Sequence, residues 1–399
     1  MALTDYKVAY DNSYEEVLNK VLVAKSIANM RFEPMLVAGS SVVRMSYDIS
    51  AARVRTVVRG SASTIDAITD STDSLLVNIE KELVFHMSDG EMKQASNLNP
   101  GEVIGAQAAV KVATDLDGRV LAEVLNAYQA FDTGDLTTSS SSGVPFALTS
   151  TTVPQMVTRM PAKLKNINNI LSNMAFVIDP YMASDLEQYL LGKQFDIVNS
   201  IWKNGYSGAI SMAEVYVSNN LTFTSLFTDA GIAAGETITI GGVVFTAAAN
   251  GAAAGAGEYS IEGNNTAAIA NLVALINAPG TSVGSTRIAL SAADQATIAD
   301  VLGLSAVVTT ADQSLTITCR GAGRVAVSDT HGSGAFSNSM VHAYYGKKGA
   351  IDLVVQDKSE VDIRECSDRR GVNIFSSYLA GIKTFADGAK KFLDVKIAI

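Results

Sequence analysis

The chain has 399 residues, enough for two or three domains at the usual size of about 100 to 200 residues each. Its 48% hydrophobic and 18% charged content excludes a disordered polyelectrolyte, and a net charge of −10 argues against tight nucleic-acid binding, which depends on clustered Lys and Arg. Asp5, Lys7 and Asp11 interrupt the start where a secretory signal needs an apolar stretch, and the long uncharged run 237–257 is dense in Gly, Ala and Thr, so neither a signal peptide nor a membrane span is expected.

Ser13 and Glu16 stand in capping-box spacing ahead of Val17, Leu18, Val21, Leu22 and Ala28, which predicts a helix over about residues 14–30. From residue 41 to 87 the pattern alternates and predicts strands. Residues 53–59 (RVRTVVR) and 75–81, joined by small polar residues, read as an extended β-hairpin. Asn99 as N-cap, Pro100 and Glu102 open a long helical pattern. Its apolar series Val103, Ala106, Val110, Ala113, Leu116, Val120, Val124 and Tyr128 extends to about residue 130. At 1.5 Å per residue such a helix is roughly 45 Å long, a spine.

A serine-rich loop follows, then a helical pattern opened by Pro154 and interrupted by Pro161. AFVIDP reads as a short buried strand, and the next helix is expected to be capped by Ser184 with Glu187 and stopped at Gly192. No lysine occurs between Lys203 and Lys347, and Gly, Ala and Thr become dense, which marks residues 221–339 as an inserted domain. Within it we expect a hairpin turning at Gly241 and Gly242, a helix in TAAIANLVALIN, and a second hairpin around Gly321 to Gly323. After Met340 come the strand-like segments IDLVVQ, VDIREC, NIFSSYLAGI and LDVKIAI.

No convergent catalytic set stands out. Cys319 and Cys366 lack CxxC spacing and are expected as reduced, buried thiols, and the histidines His86, His331 and His342 show no metal-binding spacing. Asp115 to Gly118 matches part of a calcium loop but lacks its distal Glu, so solvated helix charges are expected. Gly346-Lys347 lacks the first glycine and the Ser or Thr of a P-loop, and residues 330–334 fail the G-x-S-x-G spacing of a serine nucleophile. No catalytic, cofactor or metal residue is assigned.

The stretch NMAFVIDPYMASDLEQYLL, followed by NGYSGAISMAEVYVSNNL and later by MVHAYYGKKGAIDLVVQ and RRGVNIFSSYLAGIKTF, resembles the Hong Kong 97-type coat fold of tailed-bacteriophage major capsid proteins. The order of elements carries the resemblance over nearly the whole chain. It implies an α+β capsid fold with an N-terminal arm (1–40), a peripheral domain (41–175) with its extended loop (about 53–81) and spine helix (about 99–130), and an axial domain whose first part (176–220) is separated by a small β-rich α+β insertion (221–339) from its second part and the return to the peripheral domain (340–399). It also implies a non-enzymatic shell subunit assembling with itself into hexamers and pentamers of an icosahedral head, without a cofactor or a membrane. The expected partners are scaffold, portal and decoration proteins, with weak non-specific contact to packaged DNA. The expected location is the virion, assembled in the host cytoplasm. Arg53, Arg55 and Arg59 on the extended loop are the expected inter-subunit contacts; the plain alternative is solvated arginines worth under about 1 kcal/mol each. Two other readings stay open: an encapsulin-type compartment shell, and a phage tail or adhesion module.

Overall fold

The computed structural model describes residues 23–32, 41–48, 54–56, 59–60, 62, 65–66, 69–88, 90, 100–136, 143–167, 171–191, 209–210, 212–229, 231–310, 314–331, 335–358, 362–365 and 370–399. These fall into two compact units. One takes in Ala28–Val112 and Gly349–Ala389, the other Leu22–Ile27, Ala113–Lys348 and Lys390–Ile399.

Along the chain the first strands are β1 (Ser41–Asp48), β2 (Thr69–Leu76) and β3 (Ile79–Met87). The second unit then contributes β4 (Gln129–Phe131), β5 (Met174–Ile178), β6 (Ala209–Ile210), β7 (Ala213–Val217) and β8 (Thr222–Thr228). It continues through β9 (Thr237–Ile240), β10 (Val243–Ala248), β11 (Glu258–Ser260), β12 (Leu304–Thr310), β13 (Ser314–Cys319), β14 (Val327–Asp329) and β15 (Ala335–Lys347). Back in the first unit lie β16 (Asp352–Lys358), β17 (Asp362–Glu365) and β18 (Val372–Lys383), and β19 (Phe392–Ala398) closes the second.

In the first unit, β1 and β2 form an antiparallel ribbon in register from Ser41↔Leu76 to Asp48↔Thr69. This corrects the expected hairpin arms. Residues 54–56 of RVRTVVR are not in a strand, and they lie in the connection between arms that run 41–48 and 69–76. The arms are chosen by pairing rather than by alternation, because β2 (TDSTDSLL) is mostly polar and gains its partner from SVVRMSYD. The ribbon is rooted where Leu75 and Val77 pack with Phe32, Val354 and Phe385. β18 is the centre of the neighbouring sheet, with β3 along one edge and β16 and β17 in line along the other. Its residues alternate buried and half-exposed from Val372 to Ala380, as a strand with one covered face requires.

In the second unit β15 is the organising strand. β8 and β5 share one of its edges in line, and β19 takes the other, so thirteen residues join two strand groups into one sheet. The β5 half carries β7 and β6, and the β8 half carries β13 and β12. The antiparallel β8–β15 pair is therefore the root of everything between residues 229 and 334. That segment has its own core. The helix Asn265–Asn277 is capped by Asn264, whose side chain accepts from the Ala267 amide, and it buries Ala268, Ile269, Leu272, Leu275 and Ile276 at helical spacing. It packs on β12, β13 and β11. With Phe223, Phe227, Ile238, Ile240 and Phe245 it makes one cluster, each fully buried large side chain worth about 1.5–3 kcal/mol. Asn277 also ties the helix end to the sheet, its side chain donating to the Ala306 carbonyl at 2.8 Å and accepting from the Ala306 amide at 2.9 Å.

The β9–β10 hairpin turns at Gly241 and Gly242, both in the left-handed region at φ 56° and 88°. The second expected hairpin is corrected. β13 pairs with β12 and β8, whereas β14 pairs with β9 in the other sheet of this segment, so Gly321 to Gly323 cross between sheets. These glycines answer a packing need: a Cβ on Gly321 would lie 2.6 Å from the Gly118 Cα, and one on Gly323 would lie 2.4 Å from the Asn219 carbonyl. Arg324 completes the anchor, its Nε 2.5 Å from Asp179 and its guanidinium over the Tyr181 ring.

The long helix runs Pro100–Ala122 and ends in a 3-10 turn, Glu123–Asn126, before β4, so it stops short of residue 130 and spans about 35 Å. Its buried residues include Ala109, Ala113, Leu116, Val120 and Leu121, while Val110 and Tyr128 of the expected stripe are exposed. The helix Pro180–Leu191 begins earlier than expected: Asp179, not Ser184, caps it by accepting from the Met182 amide at 2.5 Å. The expected N-terminal helix and the Asn99 cap lie largely outside the described residues, which include only the short helix Ala24–Ile27 of the former.

Candidate functional site

The ribbon is the feature of the first unit best shaped to meet another molecule. Eight paired residues at about 3.4 Å each carry it roughly 27 Å. Val54 and Ile65, in the connection between its arms, are 106% and 91% exposed. Apolar side chains held fully in water gain only by being covered. Arg55 donates from its guanidinium to Asp66 at 2.7 Å, so this expected contact residue is already engaged within its own chain. Arg59 lies in an exposed turn beside Gly60, which has φ 86°. Arg53 lies outside the described residues.

The motifs weighed in the sequence resolve into structural roles. Asp115 ion-pairs with Arg119 one helical turn on. Asp117 departs from the expected solvated charge: it is 1% exposed and accepts from the backbone amides of Val23 and Ala24 at 3.1 and 2.8 Å. Lys348 pairs with Glu214 and donates to Tyr216 at 2.7 Å. The lysine beside Glu214 holds that carboxyl below its usual range. Burial pushes the Cys319 thiol up to about 12, which keeps it protonated and unreactive; Cys366 lies outside the described residues.

The histidines take three different places. His86 is exposed on β3 and contacts Asn373, its cross-strand partner, at 3.0 Å. His342 lies in the sheet of the second unit between Thr224 (Oγ1 to Nε2, 2.7 Å) and Asp394 (Oδ1 to Nδ1, 2.7 Å). The order Thr, His, Asp matches a nucleophile relay, but the three side chains belong to β8, β15 and β19 and all are buried, with Thr224 7% exposed. The arrangement holds three adjacent strands in register through diagonal contacts. His331 stands beside Asp229 and Glu236 in the segment between β8 and β15. Neither grouping was visible in the sequence, because their members lie 52 to 118 residues apart in the first case and come from two loops about a hundred residues apart in the second.

No protein-family model and no curated protein sequence matches the chain. Among solved structures it is similar to one from Mycobacterium phage Che8, at 12% identity and a TM-score of 0.47 over 93% of this chain and 90% of that one. It is also similar to the capsid of Ralstonia phage GP4, at 9% identity and a TM-score of 0.42 over 90% and 83%. A virus-like particle from Pyrococcus furiosus aligns at 10% identity and a TM-score of 0.39 over 95% and 94%. Among the described residues no helix is long and apolar enough to cross a membrane.

Proposed function

We propose that this chain is the major capsid protein of a tailed bacteriophage, a building block that assembles with itself as hexamers and pentamers into an icosahedral shell around the genome. The observation that carries the reading is the β1–β2 ribbon with its exposed Val54 and Ile65. A two-stranded ribbon is marginal in water and is stabilised by lying on another surface. A closed shell supplies that surface from the adjacent copy, through head-to-tail contacts that repeat until the rotation closes. The order of ribbon, long helix and a sheet grouped around β5 and β15 agrees with the resemblance found in the sequence.

In this reading residues 41–175 form the peripheral domain, residues 176–220 the first part of the axial domain, residues 340–399 its second part and the return to the peripheral domain, and residues 221–339 an insertion that contributes to contacts between capsomers or to decoration. Arg53, Arg55 and Arg59 reach acidic groups of the neighbouring copy, and Arg55 also stiffens the connection through Asp66. Scaffold, portal and decoration proteins are the further partners, contact with packaged DNA is weak, the protein has no catalytic role, and its place is the virion.

The register gives a direct test. Asp48 and Thr69 are paired, so residues 49–68 can be replaced by a two-residue Asn-Gly turn that closes the hairpin. The shortened chain is expected to stay soluble with an unchanged melting transition, yet to form no closed shells. Shells at the full-length yield would refute the role assigned to the ribbon.

A further inference from the structure

The second unit contains a cluster that the shell reading does not use. Asp229 follows β8 directly, Glu236 precedes β9, and His331 lies two residues beyond β14. His331 Nε2 is 3.6 Å from Asp229 Oδ2 and 3.7 Å from Glu236 Oε2, and the three ligand atoms all lie within 4.8 Å of one another. Those separations are too long for hydrogen bonds. They suit a shared ion, since two donors each about 2.1 Å from one cation at roughly tetrahedral angles lie about 3.4 Å apart.

We propose that Asp229, Glu236 and His331 bind one divalent transition-metal cation of the zinc type, and that the ion staples the root of the inserted segment. The His331 side chain is fully buried, and among the described residues neither of its ring nitrogens has a hydrogen-bond partner. An imidazole placed so loses its water without replacement, and a metal on Nε2 supplies a partner for one of the two nitrogens. Tyr259 is 0% exposed and its hydroxyl is likewise without a partner. Burial raises the phenol above its ordinary value, and the Asp229 and Glu236 charges add to the rise.

The ring of His331 rests edge-on against Phe227 at 5.3 Å, which fixes its plane. The carboxylates are held as well: Asp229 Oδ1 accepts from the Gly231 amide at 2.7 Å, and Glu236 Oε2 accepts from the Ala233 amide at 2.6 Å. One imidazole and two carboxylates favour zinc or a neighbouring first-row ion over calcium, which takes six to eight oxygens. Asp229 and His331 stand at the two ends of the segment between β8 and β15, so an ion between them closes a loop of about a hundred residues, where a cross-link has its largest effect on chain entropy. The site stands whether or not the chain builds shells.

The test uses the full chain, stripped with EDTA, dialysed and titrated with zinc chloride by calorimetry. One equivalent should bind, the melting temperature should rise with zinc, and His331→Gln should weaken binding by at least about tenfold and abolish the rise. X-ray absorption on the zinc-loaded wild type gives a measure that needs no variant: one imidazole nitrogen with oxygen donors at about 2.0–2.2 Å. Binding below one equivalent, a shell containing sulfur or several imidazoles, or a folded His331→Gln variant of unchanged affinity would overturn the proposal.

Discussion

Asp117 shows how one residue can alter the reading of a motif. It lies on the long helix where the sequence suggested a solvated charge, yet it is buried and accepts from the Val23 and Ala24 amides. Burial is the largest influence on it and raises the carboxyl from its ordinary 3.8 to about 6, against the two amides that pull it down. A carboxyl raised in this way keeps its proton in the folded chain at pH values where the unfolded chain has lost it. Its contribution to stability is therefore complete below about pH 4 and is lost as the pH climbs through about 6. A change of that size corresponds to roughly 3 kcal/mol at most. Asp117→Asn keeps an acceptor for the amides and removes the titration. Urea unfolding from pH 4 to 7 should show the variant gaining on the wild type as the pH rises, and a constant difference across that range would contradict the account. The sequence holds the Asp but not its burial, since the residues that cover it lie 93 and 94 positions away.

At the scale of elements, two glycine pairs that look alike in the sequence do different work. Gly241 and Gly242 make a local turn, and a Cβ on Gly242 would meet nothing within 4 Å. Gly321 has a similar backbone at φ 70°, but a Cβ there would press on the Gly118 backbone. The first pair was legible as a hairpin because its requirement is local. The second was not, because it is imposed by a helix some two hundred residues earlier in the chain. Gly242→Ala should cost only the left-handed strain, about 1–2 kcal/mol, whereas Gly321→Ala should cost at least about 1–3 kcal/mol more for the overlap. Equal losses in denaturant unfolding would show that the 321–323 crossing is no tighter than a surface turn.

For the whole molecule, the order of elements was legible and the long-range pairing was not. The periodic patterns of the Asn265–Asn277 helix, of β5 and of β18 were visible because each element's own residues carry its burial pattern. The ribbon arms were misplaced because β2 is polar and its strand character comes from β1 across the register. The segment between β8 and β15 could be seen as a change in composition, but the way β15 runs from that segment's root into the β5 group depends on the partners of each half of that strand. The candidate site was legible least of all, since exposure at Val54 and Ile65 and the meeting of Asp229, Glu236 and His331 exist only after folding.

A shell subunit of the proposed kind closes by contacts between its own copies. Electron microscopy of the full-length protein purified from a bacterial host, with its mass measured by light scattering, tests this most directly. Closed particles of uniform diameter are expected, with a surface that resolves into hexamers and pentamers of this one chain. Monomers or small oligomers under every condition of salt, pH and concentration would contradict it.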